Sequence, residues 1–224
     1  MRTNPDTAGS KNVTVLYEDE KLVVCVKPRG VLSAADASGK LSMNELLAPR
    51  SVFPVHRLDR EVSGVMVFAK TSETAAFLSG AMQSGFRKEY LALCEKTPVP
   101  NAGELTDLLF HDRTRNKTYV VKRKRGGVKE ARLSYRVLEN GAVLVRLHTG
   151  RTHQIRVQFA SRGWPLRGDR KYGAADGGEL ALWAFRLTFP HPDGRILRFT
   201  LPDIFLPKEF SLVKSEEIQY NIEQ

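Results

Sequence analysis

The sequence predicts an α+β fold built on a mostly antiparallel, mixed sheet with flanking helices. Three observations lead there. Short runs rich in Val, Leu, Ile and aromatic residues recur along the chain, each bounded by Gly, Pro or a charged turn. Only two or three stretches carry helical spacing. The 224 residues are 42% apolar, enough for one well-buried core.

Residues 1–11 are polar and read as a disordered lead, and residues 12–207 as one folded domain. Val13–Tyr17 and Leu22–Val26 are strand-like and flank the polar turn Glu18–Lys21, so a hairpin opens the domain. Lys27-Pro28-Arg29-Gly30 ends its second strand, because Pro lacks the donor a ladder needs and Gly permits a sharp bend. Leu41–Leu47 suits a brief helix. After the polar turn around Asp59, Val65–Ala69 is a strand. Thr71-Ser72-Glu73 then signals a helix start, with Ala75, Leu78 and Met82 at helical spacing and Gly85 as the stop.

Tyr90–Leu93 returns as a strand. Arg123–Gly127 reads as a hairpin tip between strands at Tyr119–Val121 and Leu133–Leu138, making a basic arm over about 113–132. Val143–Leu147 is a further strand. Thr152–Ser161 is a helix closed by Gly163, with Ile155 and Phe159 one turn apart on a core face while Arg151, Gln154 and Gln158 point elsewhere. Leu180–Phe189 and Ile196–Leu201 complete the strands, and residues 208–224 form a polar tail.

The formal charge of +10 points to a polyanionic partner, since Lys and Arg gain affinity by displacing counterions from phosphates. Its distribution sharpens this. Residues 113–132 carry nine basic residues against one acidic, residues 143–172 seven against one, and the remainder is net acidic. Such confinement suits a nucleic-acid-facing surface, with Lys122, Arg123 and Lys124 at its centre. Cys25 and Cys94 stand alone, which argues against a disulfide framework or a zinc site and for a reducing compartment. No stretch approaches the length of a membrane span, and Met1–Lys11 is polar with no apolar core of signal-peptide length, so a cytoplasmic location is expected.

Asp59 is the candidate reactive group, in an arginine-flanked turn that runs directly into a strand. Arg57 and Arg60 beside it favour the ionised carboxylate, which can act as nucleophile or base but not as acid. The plain alternative is a turn aspartate that only hydrogen-bonds its own backbone. Neither His56 nor His153 has a second histidine at metal-ligand spacing. A metal-dependent nuclease is disfavoured because acidic ligands do not cluster in sequence near Asp59.

The segment His56-Arg57-Leu58-Asp59, followed by Val62-Ser63-Gly64 and an apolar strand, resembles motif II of the RluA-type pseudouridine synthases. Similar blocks follow the family order: Val26–Gly30, Arg87–Leu93, Gly150–Arg156 and Gly168–Gly173, so the likeness covers roughly residues 13–205. The resemblance implies the pseudouridine synthase fold with a central catalytic cleft, and isomerisation of specific uridines in ribosomal or transfer RNA. By the same resemblance Asp59 is the nucleophile. Tyr90 packs on the target base and takes the proton from C5, and Arg156 pairs with the carboxylate. Ile155 lines the base pocket, and Arg57 fills the space a flipped nucleotide vacates.

His56 and His153 are candidate RNA contacts, although a satisfied structural histidine is the commoner role. Arg151 and Gln154 join them as substrate-binding candidates. The reaction changes no oxidation state and consumes no energy carrier, so neither cofactor nor metal is expected, only RNA as partner and a monomer with no obligatory protein partner. Val62 stands where many relatives have Thr and Trp183 where many have His. The first strand begins too early for an S4 domain, so RNA choice would fall to the domain and its basic arm. A catalytically silent RNA-binding module remains the rival, because it would use the same basic stretches.

Overall fold

The structure, a computed structural model, describes residues 13–82 and 84–210. The expected disordered lead and most of the polar tail lie outside these residues. In chain order the elements are β1 (Val15–Glu18), β2 (Leu22–Lys27), α1 (Met43–Leu46), β3 (Phe53–Pro54), β4 (Ser63–Ala69), α2 (Ser72–Ala81), β5 (Arg87–Ala92) and β6 (Ala102–Asp112). Then follow β7 (Lys117–Val121), β8 (Val128–Val137), β9 (Val143–Leu147), α3 (Gln154–Ala160), β10 (Leu182–Pro190) and β11 (Ile196–Thr200). No helix among the described residues is long and apolar enough to cross a membrane.

Eleven strands form one sheet in the order β1-β2-β4-β10-β5-β9-β8-β6-β7, with β3 pairing β4 and β11 pairing β10. All named pairings are antiparallel except β4 with β10. The sheet is mixed and mostly antiparallel, as expected. Its centre is covered on both faces, which is why β2 and β4 read as continuous apolar runs rather than alternating ones. On one face α1 and α3 pack Met43, Ile155 and Phe159 against Val23, Met66, Phe68 and Val145. On the other, α2 packs Leu78 against Val24, Val67, Leu91 and Phe189. Trp183 belongs to this second face, edge-on to Phe210 and beneath the Arg29 guanidinium.

Two corrections matter for the site. The sequence reading overlooked β6, and β6 lies between β7 and β8, pairing with both. Tyr119–Val121 and Leu133–Leu138 therefore do not form a hairpin with each other. Residues 122–127, four of them basic, pass from one side of β6 to the other near Leu108–Phe110, while the tight hairpin lies between β6 and β7 and turns at Asn116, whose φ is 44°. The second correction concerns α3, which starts at Gln154 rather than Thr152 because His153 adopts a left-handed backbone. Gln154 and Gln158 point inward rather than elsewhere. Gln154 bonds Thr149, the Arg151 amide and the Arg132 carbonyl, and Gln158 donates to Asp107.

At Gly64 the parallel pairing brings β4 and β10 so close that a Cβ would collide with the Ala184 carbonyl. The residue after Ser63 must therefore be glycine for the Asp59 turn to enter the sheet here.

Candidate active site

The Asp59 turn is pinned by the segment that follows β2. Lys27 is fully buried, and its ammonium donates to the carbonyls of Pro28, Val31 and Arg60 at 2.8, 2.7 and 3.1 Å. Burial pushes its pKa down to about 7, against the pull of the Asp59 and Glu61 charges. The Gly30 amide also donates to Arg60 O, and Ser33 Oγ exchanges hydrogen bonds with the backbone of Leu58. Val62 N donates to Asp59 O, closing the turn. The side chain of Asp59 is thus held at a fixed place, part exposed.

Its charge partner comes from α3. Arg156 Nη1 lies 3.2 Å from Asp59 Oδ2, while Arg156 Nε and Nη2 each donate to Asp169 at 2.7 Å. Burial works against the guanidinium charge, but the hydrogen bonds and charges of Asp169 and Asp59 outweigh it and raise the pKa above its ordinary value. His153 Nε2 stands 3.9 Å from the same Asp59 oxygen. The arginines flanking Asp59 in sequence are not its partners. Arg60 pairs with Glu61, and exposed Arg57 makes no ion pair among the described residues.

Asp59, Tyr90, Ile155 and Arg156 line one cleft of about 580 Å³, together with His56, Arg57, Arg151, His153 and Gln154. Tyr90 sits mid-strand in β5 between Val145 of β9 and Ala184 of β10, which fixes its ring on the cleft floor. Burial, then the Asp59 charge, raises its pKa, so the phenol stays protonated at neutral pH. Arg57 stands exposed at the cleft margin. Arg151 donates to the Glu130 carbonyl.

His56 is buried, its Nε2 accepts the Val67 amide at 3.2 Å, and burial, aided by the Lys88 charge, pushes its pKa down to about 3. Lys122, Arg123 and Lys124 are exposed and do not line the cleft.

Three residues around the site were not singled out from the sequence. Asp169 and Tyr172 lay inside a noted block and stand behind Arg156, outside the cleft lining. Lys88 lines the cleft two residues before Tyr90, on the same face of β5, so strand alternation would have found it. Desolvation lowers its pKa. No group of three or more His, Cys, Asp or Glu side chains among the described residues is placed to hold a metal ion.

Fold and cleft together define an α+β protein with an aspartate, Asp59, held against an arginine in a groove lined by several basic side chains. Residues 21–161 match the family model described as RNA pseudouridylate synthase, and the chain belongs to that family. It is 34% identical over 218 residues to ribosomal large subunit pseudouridine synthase D of Neisseria meningitidis, covering 84% of this chain and 57% of that protein. Against the protein of the same name from Xylella fastidiosa it is 35% identical, covering 86% and 63%. The chain thus spans about 60% of the length of these two relatives. Among solved structures, human RNA pseudouridylate synthase domain containing 1 matches with a TM-score of 0.75 at 24% identity, covering 89% of this chain and 87% of that one. That likeness speaks to the fold, as does that of human domain containing 4, with a TM-score of 0.70.

Proposed function

We propose that this chain isomerises specific uridines in structured RNA to pseudouridine, with Asp59 as the nucleophile. The observation that carries the reading is the Asp59–Arg156 pair facing Tyr90 across one cleft, in a member of this family. The names of its relatives favour ribosomal RNA of the large subunit as substrate. Residues 12–207 then act as one catalytic domain, as a monomer in the cytoplasm, where ribosomal RNA is made available.

The reaction breaks the uracil N1–C1′ bond and forms C5–C1′. The C5 proton leaves, N1 gains one, and the product is an isomer of the substrate. A carboxylate next to a fixed cation suits attack, since Arg156 aims Asp59 yet reaches it with only one nitrogen. Tyr90 offers a flat face to the base. Because its phenol is protonated, it serves the C5 proton by passing its own onward rather than as a standing phenolate.

A stacked uridine hides its glycosidic bond, so the nucleotide must leave the stack to enter the cleft. Arg57, exposed at the margin and without an ion pair among the described residues, would fill the gap with a planar guanidinium. Lys88 and Arg151 line the route for the phosphates. Lys122, Arg123 and Lys124 would hold flanking RNA outside the cleft.

The test is tritium release from ribosomal RNA labelled at uracil C5, since C–C bond formation there must expel that hydrogen. Release by the purified chain supports the reading. RNA binding without release would favour the silent RNA-binding module.

A further inference from the structure

Tyr172 has none of the roles assigned above, yet three contacts of the site meet on it. It ends the short turn Arg170–Tyr172 that follows Asp169. Its hydroxyl oxygen accepts the Thr118 amide of β7 at 2.8 Å and lies 2.9 Å from His153 Nδ1. Its ring lies beneath Arg156, whose Cζ is 5.2 Å from the ring centroid. His153 and Arg156 are the two groups that face Asp59 Oδ2, at 3.9 and 3.2 Å. Both neighbours of the reactive carboxylate therefore rest on one phenol.

The hydrogen bonds also bear on a tautomer. A phenol has one proton, and His153 Nδ1 at 2.9 Å is an acceptor within its reach while the oxygen takes the Thr118 amide. A neutral imidazole accepting at Nδ1 carries its hydrogen on Nε2, the nitrogen turned to Asp59. Burial keeps His153 neutral by pushing its pKa down to about 4. The Asp59 charge opposes this, while Arg156, Lys171 and the edge-on ring of His111 reinforce it. The left-handed backbone of His153, φ 53° and ψ 25°, is a conformation most side chains avoid, and here it turns the imidazole into this chain of contacts.

We infer that Tyr172 is a positioning residue for Asp59, acting through two neighbours: its hydroxyl fixes the Nε2 hydrogen of His153 toward the carboxylate, and its ring supports the Arg156 guanidinium. This rests on the proposed role of Asp59. A carboxylate that attacks loses its charge and regains it when released. A neutral N–H donor held beside it favours the returning charge without placing another full cation in the cleft.

The deciding measurement needs no RNA. In protein labelled with ¹⁵N-histidine at pH 7, the ring nitrogens of His153 report which one is protonated. The expected result is an Nε2-protonated neutral ring in wild type, and loss of that fixed tautomer in Tyr172→Phe, which keeps the ring but has no proton to donate. An Nδ1-protonated or cationic His153 in wild type, or a tautomer unchanged by Tyr172→Phe, would overturn the inference.

In tritium release, Tyr172→Phe should lose about tenfold in kcat at unchanged KM, and Tyr172→Leu more, since it also removes the surface beneath Arg156. Equal kcat for wild type and Tyr172→Phe would overturn the functional half of the inference. Absence of release by wild type would overturn the role of Asp59 instead, with the tautomer still deciding what Tyr172 does to His153.

Discussion

Arg156 is shared between two carboxylates that treat it differently. Asp169 takes two of its nitrogens at 2.7 Å, whereas Asp59 meets one at 3.2 Å. The bidentate contact fixes the guanidinium plane, and the looser one leaves Asp59 with lone pairs directed into the cleft. In this arrangement Asp169 aims the cation, and Arg156 in turn holds Asp59.

Asp169→Asn should therefore damage both stability and turnover. Asp169 is almost fully buried, and its loss as an anion leaves Arg156 with a weaker anchor, at a cost of about 3 kcal/mol in urea unfolding. If Asp169 acts by aiming Arg156, kcat falls at least tenfold while KM for RNA changes little. A drop confined to stability would mean that the aim of Arg156 does not depend on this pair.

Lys27→Met replaces the buried ammonium with an apolar chain of similar length and leaves the carbonyls of Pro28, Val31 and Arg60 without that donor. The expected loss is about 3 kcal/mol of stability, because unsatisfied buried carbonyls keep their desolvation cost. Since Arg60 O belongs to the Asp59 turn, residual activity at a temperature where the variant is folded should also fall. Unchanged kcat in the folded variant would separate the turn's anchoring from catalysis.

His56 makes the fold acid-sensitive in a defined window. Its folded pKa is pushed down to about 3, below the ordinary 6.5, so below pH 6.5 the unfolded chain takes up a proton that the folded chain does not. The stability that this neutral histidine contributes is fully present above pH 6.5 and is lost progressively as pH falls toward 3. Between pH 7 and 5 that loss amounts to about 2 kcal/mol. His56→Gln keeps an acceptor for the Val67 amide but cannot titrate, so its loss over the same interval should be smaller by about that amount. Parallel curves for the two proteins would contradict the structural role of His56.

The basic crossing beyond β7 makes a prediction about RNA rather than chemistry. Lys122, Arg123 and Lys124 are exposed, so reversing all three to Glu should leave thermal unfolding unchanged. If they neutralise phosphates, the slope of log binding constant against log salt should flatten by about 2. An unchanged slope would remove this segment from the interface.

How far the sequence carried depended on whether a feature was local. Strands β2 and β4 were legible because burial on both faces makes them continuous apolar runs. The partnership of Asp59 was not: adjacency suggested Arg57 and Arg60, while Arg156, 97 residues away, is the group the fold brings to it. Only the resemblance pointed to Arg156. Strand β6 was hidden because its two buried residues, Leu105 and Leu109, lie four apart and the apolar run Leu108–Phe110 does not alternate, a pattern that does not read as a half-buried strand. Missing β6 then misjoined β7 to β8 and turned a crossing into a hairpin. Gln154 and Gln158 looked like surface residues, since nothing local announces that Arg132 O and Asp107 wait for their amides.

The central claim is that Asp59 is the nucleophile, and Asp59→Asn tests it most directly, since the variant keeps the side chain's shape and loses its charge. The measurement is tritium release from C5-labelled ribosomal RNA, with unfolding temperature and RNA affinity recorded on the same preparation. The account predicts release at background level with both controls close to wild type. Release at the wild-type rate by Asp59→Asn would contradict it.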